Sequence, residues 1–143
     1  MTTAEQLDQV FCNNFVAYYR SHSSHVNIEG RNFYSDHKLL QKIYEDLQEQ
    51  IDRLGELLRS IKEYMPCEIQ DVLNRSEIST TRLEGDSDYL LNAVRDDLDS
   101  LKGSYIMLEE IAELEEMDEI ANYAQDRILA LAKFIWQLDS TLS

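Results

Sequence analysis

Proline and glycine are scarce in this chain of 143 residues, which has one proline and four glycines. Few positions therefore force a break in regular structure, and the abundant Leu, Glu, Ile and Gln favour helices over strands. The length can bury a sizeable core but is short for two ordinary domains. We expect an all-α protein in which residues 1–143 form a single domain.

Basic residues, cysteines and long apolar runs are also lacking. Thirteen Lys and Arg stand against 28 Asp and Glu, which gives a net charge of -15. Such a chain repels nucleic-acid phosphate and anionic membranes but attracts cations, so metal ions or basic proteins are the expected partners. Cys12 and Cys67 form no CxxC pair, no secretory leader is evident, and no apolar run approaches the roughly 20 residues that cross a bilayer. We expect a soluble cytoplasmic protein with reduced thiols and no membrane contact.

Four long segments carry apolar residues at alternating steps of three and four, which predicts four amphipathic helices. Their expected spans are 3–28, 32–63, 86–114 and 118–142. Gly30 is the expected stop of the first helix. The link at 64–85 is much longer than the two to eight residues usual between antiparallel neighbours, and Pro66 opens a short helical piece within it. These features predict a ferritin-like four-helix bundle whose long crossover, between helices two and three, contains a short helix.

The three histidines all fall in the first 37 residues, and two of them bracket the first interhelical turn. A single histidine on an apolar stripe is usually a hydrogen-bonded core residue. Because His25 and His37 flank a tight turn together, they are better candidates for metal ligands. His22 lies three residues before His25 on the same face, where it is an extra ligand, a support for one, or, as we prefer, a structural residue.

Two carboxylates, Asp52 and Glu56, lie four residues apart on the second helix and share a face. They repel by a few tenths of a kcal/mol unless a cation lies between them, although a solvated acidic face is the alternative. Imidazole and carboxylate ligands together suit Fe(II), Mn or Zn better than Ca or Mg.

Distance separates the two pairs, because the 15 residues from His37 to Asp52 span roughly 22 Å of helix. One chain cannot place both on the same ion. If the second helix packs antiparallel against its copy, crossing near Tyr44 and Glu45, His37 of each chain meets Asp52 of the other, and two identical sites form. An intrachain di-iron centre of the usual kind needs Glu-x-x-His pairs, which this sequence lacks.

The stretch HVNIEGRNFYSDH, followed by IYEDLQEQIDRLGELL, resembles the signature region of the Dps family of ferritin-like proteins. In that pattern a second His follows the first after 12 residues, an Asp follows 15 later, and a Glu four further on. The matching positions are His25, His37, Asp52 and Glu56. MPCEIQDVL resembles the family's crossover helix and AKFIWQLDSTL, with Trp136, the end of its last helix.

The resemblance implies a hollow homododecamer with iron sites at its two-fold interfaces. Such shells oxidise Fe(II), preferentially with hydrogen peroxide and otherwise with dioxygen, and store the ferric product as mineral, which protects against oxidative damage. It implies that His25 and His37 ligate iron, that Glu56 ligates or bridges, and that Asp52 ligates or orients a ligand. Metal redox then does the chemistry with no organic cofactor.

An acidic run joins the third and fourth helices: Glu109, Glu110, Glu113, Glu115, Glu116, Asp118 and Glu119. In Dps-like shells the corresponding region lines pores on the three-fold axes. Glu113, Glu116 and Asp118 are therefore candidates for guiding Fe(II) inward, since an acidic constriction concentrates cations. The alternative is an ordinary polar loop whose acids favour the dipole of the next helix.

The sequence departs from the family pattern at several points. Val26 stands where many members have Trp, with Tyr34 or Tyr44 as candidate replacements. Gly55 replaces a common Ala at a cost of about 1 kcal/mol, which close approach of a partner helix would explain. The first 19 and last nine residues contain no Lys or Arg, so we expect no appreciable DNA binding.

Two alternatives to an iron-oxidising cage stay open. The first is a non-catalytic Dps-like cage or an acidic helical interaction protein, which the absence of Trp at position 26 favours. The second is a conventional ferritin, against which the absence of Glu-x-x-His counts.

Overall fold

The computed structural model describes residues 1–143, which form five helices and no strand. The helices are α1 (Thr3–Asn27), α2 (Phe33–Ser60), α3 (Ile69–Arg75), α4 (Ser87–Leu114) and α5 (Asp118–Leu142). In the bundle of four long helices, α1 packs against α2 and α4, and α4 packs against α5. The short α3 lies in the crossover and packs on α1. The predicted all-α bundle, with a short helix between its second and third long helices, is confirmed.

The start of α1 is a capping box formed by Thr2 and Glu5. The Thr2 hydroxyl accepts from the Glu5 N–H at 3.1 Å, and the Glu5 carboxylate accepts from the Thr2 N–H at 3.3 Å. The helix ends at Asn27 because Ile28 is extended and its side chain is buried in the core. Gly30, the predicted stop, lies two residues beyond this cap. With φ +124° it turns the chain toward α2 and does not end the helix.

The end of α2 falls three residues before the predicted 63. Lys62 donates its N–H to the Arg59 carbonyl and Glu63 donates to the Leu58 carbonyl, which is the bond pair of a Schellman cap. Lys62 takes the left-handed conformation, φ +68°. The same kind of cap closes α4, where Glu116 has φ +60° and Met117 donates to the Ala112 carbonyl. Both helices thus end without the glycine that usually occupies this position.

The core takes residues from every helix, and α2 supplies its regular stripe: Leu40, Ile43, Leu47, Leu54 and Leu58 are at most 1% exposed. Burial of this stripe is the main driving force that packs α2 onto α1. None of the five helices combines the length and apolar character that a bilayer crossing requires.

A polar network lies between α2, α4 and α5. Arg127, which is buried, donates from both terminal nitrogens to the Asp46 carboxylate at 3.1 and 2.5 Å. The Tyr123 hydroxyl donates to Gln50 Oε1 at 2.6 Å and lies 3.3 Å from the Tyr105 hydroxyl. The interior of the bundle therefore holds a bidentate ion pair and a chain of neutral hydrogen bonds.

Candidate metal centre

His25 at the end of α1 and His37 in the first turns of α2 meet face to face. Their ring centroids are 3.8 Å apart and the ring planes differ by 17°. His25 Nδ1 lies 2.7 Å from the His37 carbonyl oxygen, and His37 Nδ1 lies 2.8 Å from the His25 carbonyl oxygen. The structure thus joins the two predicted histidines by a reciprocal pair of hydrogen bonds across the α1–α2 turn.

The two acceptors decide which ring nitrogen carries the proton. A backbone carbonyl oxygen can only accept, so each imidazole donates from its Nδ1–H, and in the neutral ring Nε2 keeps a free lone pair. Neither Nε2 has a hydrogen-bond partner within the chain. Hydrogen bonding of one ring nitrogen to a carbonyl is the usual way in which proteins orient a metal-binding imidazole. Both rings are therefore preset to bind a cation through Nε2.

Burial keeps His25 neutral. The side chain is largely enclosed, 8% exposed, and this desolvation lowers the pKa of His25 below its ordinary 6.5. The hydrogen bond to the His37 carbonyl opposes the shift, and the neighbouring imidazoles His37 and His22 add to it. A neutral imidazole at neutral pH is the form that binds metals.

The carboxylates Asp52 and Glu56 are both exposed, one turn apart on the outer side of α2. Neither forms an ion pair within the chain. They line a surface cavity of about 550 Å³ between α2 and α5, together with Glu49, Arg53, Leu57 and Tyr123. Two uncompensated carboxylates thus face an open space that can receive a cation.

The structure does not bring the carboxylates to the histidines. Because α2 is unbroken from Phe33 to Ser60, roughly 22 Å of helix separates His37 from Asp52. No group of three or more His, Cys, Asp or Glu side chains in the chain is arranged to hold a metal ion. The predicted histidines and the predicted carboxylates therefore lie far apart within one chain.

Aromatic rings surround the histidine pair. Phe33 stacks on His37 at 4.8 Å, and Tyr44 lies 4.9 Å from His25. Tyr44 also stacks on His22 at 3.8 Å with an interplanar angle of 5°. Of the two tyrosines that could replace the missing Trp, only Tyr44 lies against the histidines, because Tyr34 is 71% exposed and stacks on no imidazole.

Sequence reasoning missed the role of Tyr18. Its hydroxyl lies 2.9 Å from His22 Nδ1, so the two side chains are joined by a hydrogen bond. The signal was present, because residues four apart on a helix are neighbours and both lie on the stripe that continues to His25. The ring of His22 is therefore held from one side by Tyr18 and from the other by Tyr44.

Gly55 has an explanation within the chain. A Cβ at this position would lie 2.9 Å from Sδ of Met65, which comes from the crossover. Met65 thus packs against the bare backbone of α2 beside Asp52 and Glu56, where it lines a second groove with them.

The acidic turn between α4 and α5 contains two kinds of carboxylate. Glu113, Glu116 and Asp118 are exposed and form no ion pair. Glu115 instead accepts hydrogen bonds from the N–H, at 2.6 Å, and from the hydroxyl of Thr3, which lowers the pKa of Glu115. Glu115 thus ties the end of α4 to the start of α1 and leaves the other three in solvent.

The ferritin-like domain family matches residues 4–143 of the chain. The chain therefore belongs to the ferritin-like family, and the predicted ferritin-like bundle is confirmed. Two curated relatives are DNA protection during starvation proteins. The one from Helicobacter pylori is 24% identical over the full length of both chains. The one from Brevibacillus brevis is 27% identical over 99% of this chain and 98% of its own.

A solved structure shares the fold. The Dps protein from Vibrio cholerae O1, described as a member of a broad superfamily of ferritin-like diiron-carboxylate proteins, is 23% identical, with a TM-score of 0.93 over 99% of this chain and 89% of that one. Within the ferritin-like superfamily the chain is a member of the Dps family, as the motif of His25, His37, Asp52 and Glu56 predicted.

The histidine geometry makes a spectroscopic prediction. In the Asp52→Ala, Glu56→Ala variant, which removes the carboxylates that a second subunit could bring to the histidines, ¹⁵N-histidine solid-state NMR should show His25 and His37 protonated on Nδ1 and bare on Nε2 at pH 7.5. The His25 transition should fall below pH 6.5, because burial lowers its pKa.

The protein should become less stable as the pH falls. His25 takes up a proton near pH 6.5 in the unfolded chain but only at lower pH in the folded chain, so the free energy of unfolding falls as the pH drops through this window. The His25→Gln variant identifies the ¹⁵N resonances of His25, because these signals disappear from its spectrum. Protonation of His25 on Nε2 at pH 7.5 would contradict the tautomer derived from the two carbonyl acceptors.

Proposed function

We propose that this protein is a mini-ferritin that oxidises Fe(II) at sites shared between subunits and stores the ferric product inside a homododecameric shell. Membership of the ferritin-like and Dps families supports a role in iron storage. The observation that carries the proposal is the reciprocal His25–His37 pair, in which the two rings stack, both Nε2 atoms lack a partner in the chain, and the carboxylates of the same chain lie far away.

The proposed site takes His25 and His37 from one subunit, and Asp52 and Glu56 of the partner subunit. Two copies of α2 cross antiparallel near Tyr44 and Glu45, so the two-fold axis generates a second, identical site. Two neutral imidazoles and two carboxylates balance the charge of a first Fe(II), and this mixed ligand set suits that ion. Glu56 of the partner subunit can bridge it to a second Fe(II) in the same site. The unpaired state of both carboxylates supports this arrangement, since no base has to be displaced.

The reaction consumes two Fe(II) for each peroxide. Hydrogen peroxide takes one electron from each of two Fe(II) and two protons from solvent; its O–O bond breaks, and two Fe(III) and two water molecules result. Because peroxide receives both electrons in one place, no hydroxyl radical is released. Iron is the substrate, dioxygen is a slower alternative oxidant, and no organic cofactor takes part.

Mixed shells provide a direct test of sharing. Shells of His37→Ala alone or Asp52→Ala alone should oxidise Fe(II) no faster than the no-protein control, because every site lacks a ligand. When the two variants are unfolded, mixed in equal amounts and reassembled, about a quarter of the sites should combine an intact histidine pair with an intact carboxylate pair. Ferric absorbance after peroxide addition measures the recovery.

The control for this test is Asp99→Ala, which removes an exposed acid from α4 and should keep the wild-type rate. If mixed shells stay as inactive as the two parents while wild-type shells recover after the same treatment, the sites are not shared. If either single variant keeps the wild-type rate, the ligand assignment is wrong.

We also propose that Glu113, Glu116 and Asp118 guide Fe(II) into the shell. Their exposure and lack of ion-pair partners support this role, because an unneutralised acidic constriction raises the local concentration of divalent cations. Glu115 takes no part, since its carboxylate is bound to Thr3.

Neutralisation of this turn should slow iron uptake. In the Glu113→Gln, Glu116→Gln, Asp118→Asn variant we expect ferric formation at low Fe(II) to slow by roughly tenfold and to lose most of its dependence on ionic strength. Stopped-flow absorbance across a salt series measures both effects. A variant with the same charge change elsewhere, Glu68→Gln, Asp99→Asn and Asp126→Asn, should behave as wild type. Equal rates in the two variants would rule out guidance by this turn.

Two relatives are named for DNA protection, and we propose that this protein protects by consuming Fe(II) and peroxide without contacting DNA. The net charge of -15 and the absence of Lys and Arg from the first 19 residues support this view. The assembled shell should leave plasmid mobility unchanged in a gel at physiological salt, yet reduce plasmid nicking by Fe(II) and peroxide. Retarded plasmid would refute the first expectation.

A further inference from the structure

A hydrogen-bonded tyrosine and histidine lie on α1, two turns and one turn before the proposed iron ligand His25. The Tyr18 hydroxyl and His22 Nδ1 are 2.9 Å apart, and the two rings meet edge to face at 5.6 Å. Both side chains are half-buried on the α1 face that packs against α2. This pair has no part in ligand binding as described above, so its close pairing calls for another explanation.

The pair is continuous with the histidine site through stacked rings. His22 stacks on Tyr44 at 3.8 Å, Tyr44 lies 4.9 Å from His25, and the His25 ring stacks on His37 at 3.8 Å. Each step joins neighbouring rings, and the Tyr18–His22 pair adds one more at 5.6 Å. An electron can therefore pass between Tyr18 and the ligand pair in a series of short through-space steps.

Tyr18 differs from the neighbouring tyrosines because a group that can accept its proton lies beside its hydroxyl. A phenol that gives up an electron at neutral pH must also lose its proton, and a base already at hydrogen-bond distance makes this loss easier. In the His22 tautomer that carries its proton on Nε2, Nδ1 is such a base for Tyr18, whereas the hydroxyl of Tyr44 has no hydrogen-bond partner within the chain. Tyr19, the adjacent tyrosine, is 60% exposed and stacks on no ring of this array.

We propose that Tyr18 is an electron donor to the iron site, with His22 as its proton acceptor and Tyr44 as the connecting ring. The donor acts when peroxide meets a site that holds a single Fe(II). The inference rests on the proposed iron function and adds a redox residue to it.

The reduction of peroxide at such a site uses one electron from iron and one from Tyr18. Peroxide needs two electrons and two protons to become two waters. The Fe(II) supplies one electron and becomes Fe(III), and Tyr18 supplies the other and becomes a neutral tyrosyl radical. The hydroxyl proton of Tyr18 moves to His22 Nδ1, which leaves His22 as a cation, and solvent provides the two protons that enter water. The O–O bond breaks without release of a hydroxyl radical.

Rapid-freeze EPR at low iron loading tests the donor. Assembled shells with fewer than one Fe(II) per site are mixed with peroxide, and ferric absorbance is recorded on the same samples. Wild type and the matched control Tyr19→Phe should give the same tyrosyl radical yield. Tyr18→Phe should lose most of the signal, and His22→Gln should reduce it several-fold. Tyr44→Phe should retain it, because the connecting ring remains and only the hydroxyl is lost.

A second arm of the experiment tests the donor without iron. In iron-free shells, photo-oxidised tris(bipyridine)ruthenium replaces peroxide as the oxidant, and the same variants are compared by EPR. Because exposed tyrosines such as Tyr19 also react with a diffusing oxidant, a larger loss of the radical in Tyr18→Phe than in Tyr19→Phe shows that Tyr18 is the preferred donor. This arm decides the question if Tyr18→Phe also disturbs ferric formation.

The outcomes separate the two proposals. Wild-type shells that form no ferric iron overturn the iron function and the donor role together. Ferric formation at full loading with no tyrosyl radical at low loading overturns the donor role alone. An undiminished radical in Tyr18→Phe, in either arm, also overturns it.

Discussion

Two hydrogen bonds across the α1–α2 turn organise the histidine end of this molecule. His25 and His37 each donate Nδ1–H to the other's backbone carbonyl, so side chains at the ends of two helices join them and leave both Nε2 atoms without a partner in the chain. The bonds satisfy carbonyls at a helix end and in a helix start, fix two rings in one orientation, and select one tautomer. Local structure and imidazole geometry at this turn are thus one constraint, and Tyr44, His22 and Tyr18 continue the array of neighbouring rings.

A polar network occupies part of the interior of the bundle. The space between α2, α4 and α5 is filled by the Arg127–Asp46 ion pair and the Tyr105–Tyr123–Gln50 hydrogen bonds. Breaking a buried pair of this kind leaves an uncompensated charge, which costs about 3–5 kcal/mol. The charge of Arg127 is thus compensated within the chain, whereas Asp52, Glu56 and the exposed acids Glu113, Glu116 and Asp118 form no ion pair.

Much of this architecture follows from periodicity. The apolar stripes placed every long helix within a few residues, and the number of residues from His37 to Asp52 predicted their separation along one helix. The observed helix ends differ from the predicted ones because of local caps. Ile28 ends α1 by entering the core, and a Schellman turn at Lys62 ends α2. The reciprocal histidine bonds and the contact of Met65 with Gly55 depend on how a turn and a crossover fold back, which residue spacing does not encode. Tyr18 was readable as a neighbour of His22, but its hydrogen bond depends on the rotamers of both side chains.

The separation of ligands along α2 also has a consequence for assembly. On the proposed site, Fe(II) binds only where two copies of α2 have come together, so binding free energy is added to the paired state and to no other. By mass action the ion then shifts the equilibrium from free subunits toward pairs, by an amount that grows with the logarithm of its concentration. A rigid helix 28 residues long thereby makes iron availability a thermodynamic driver of the quaternary structure that handles it.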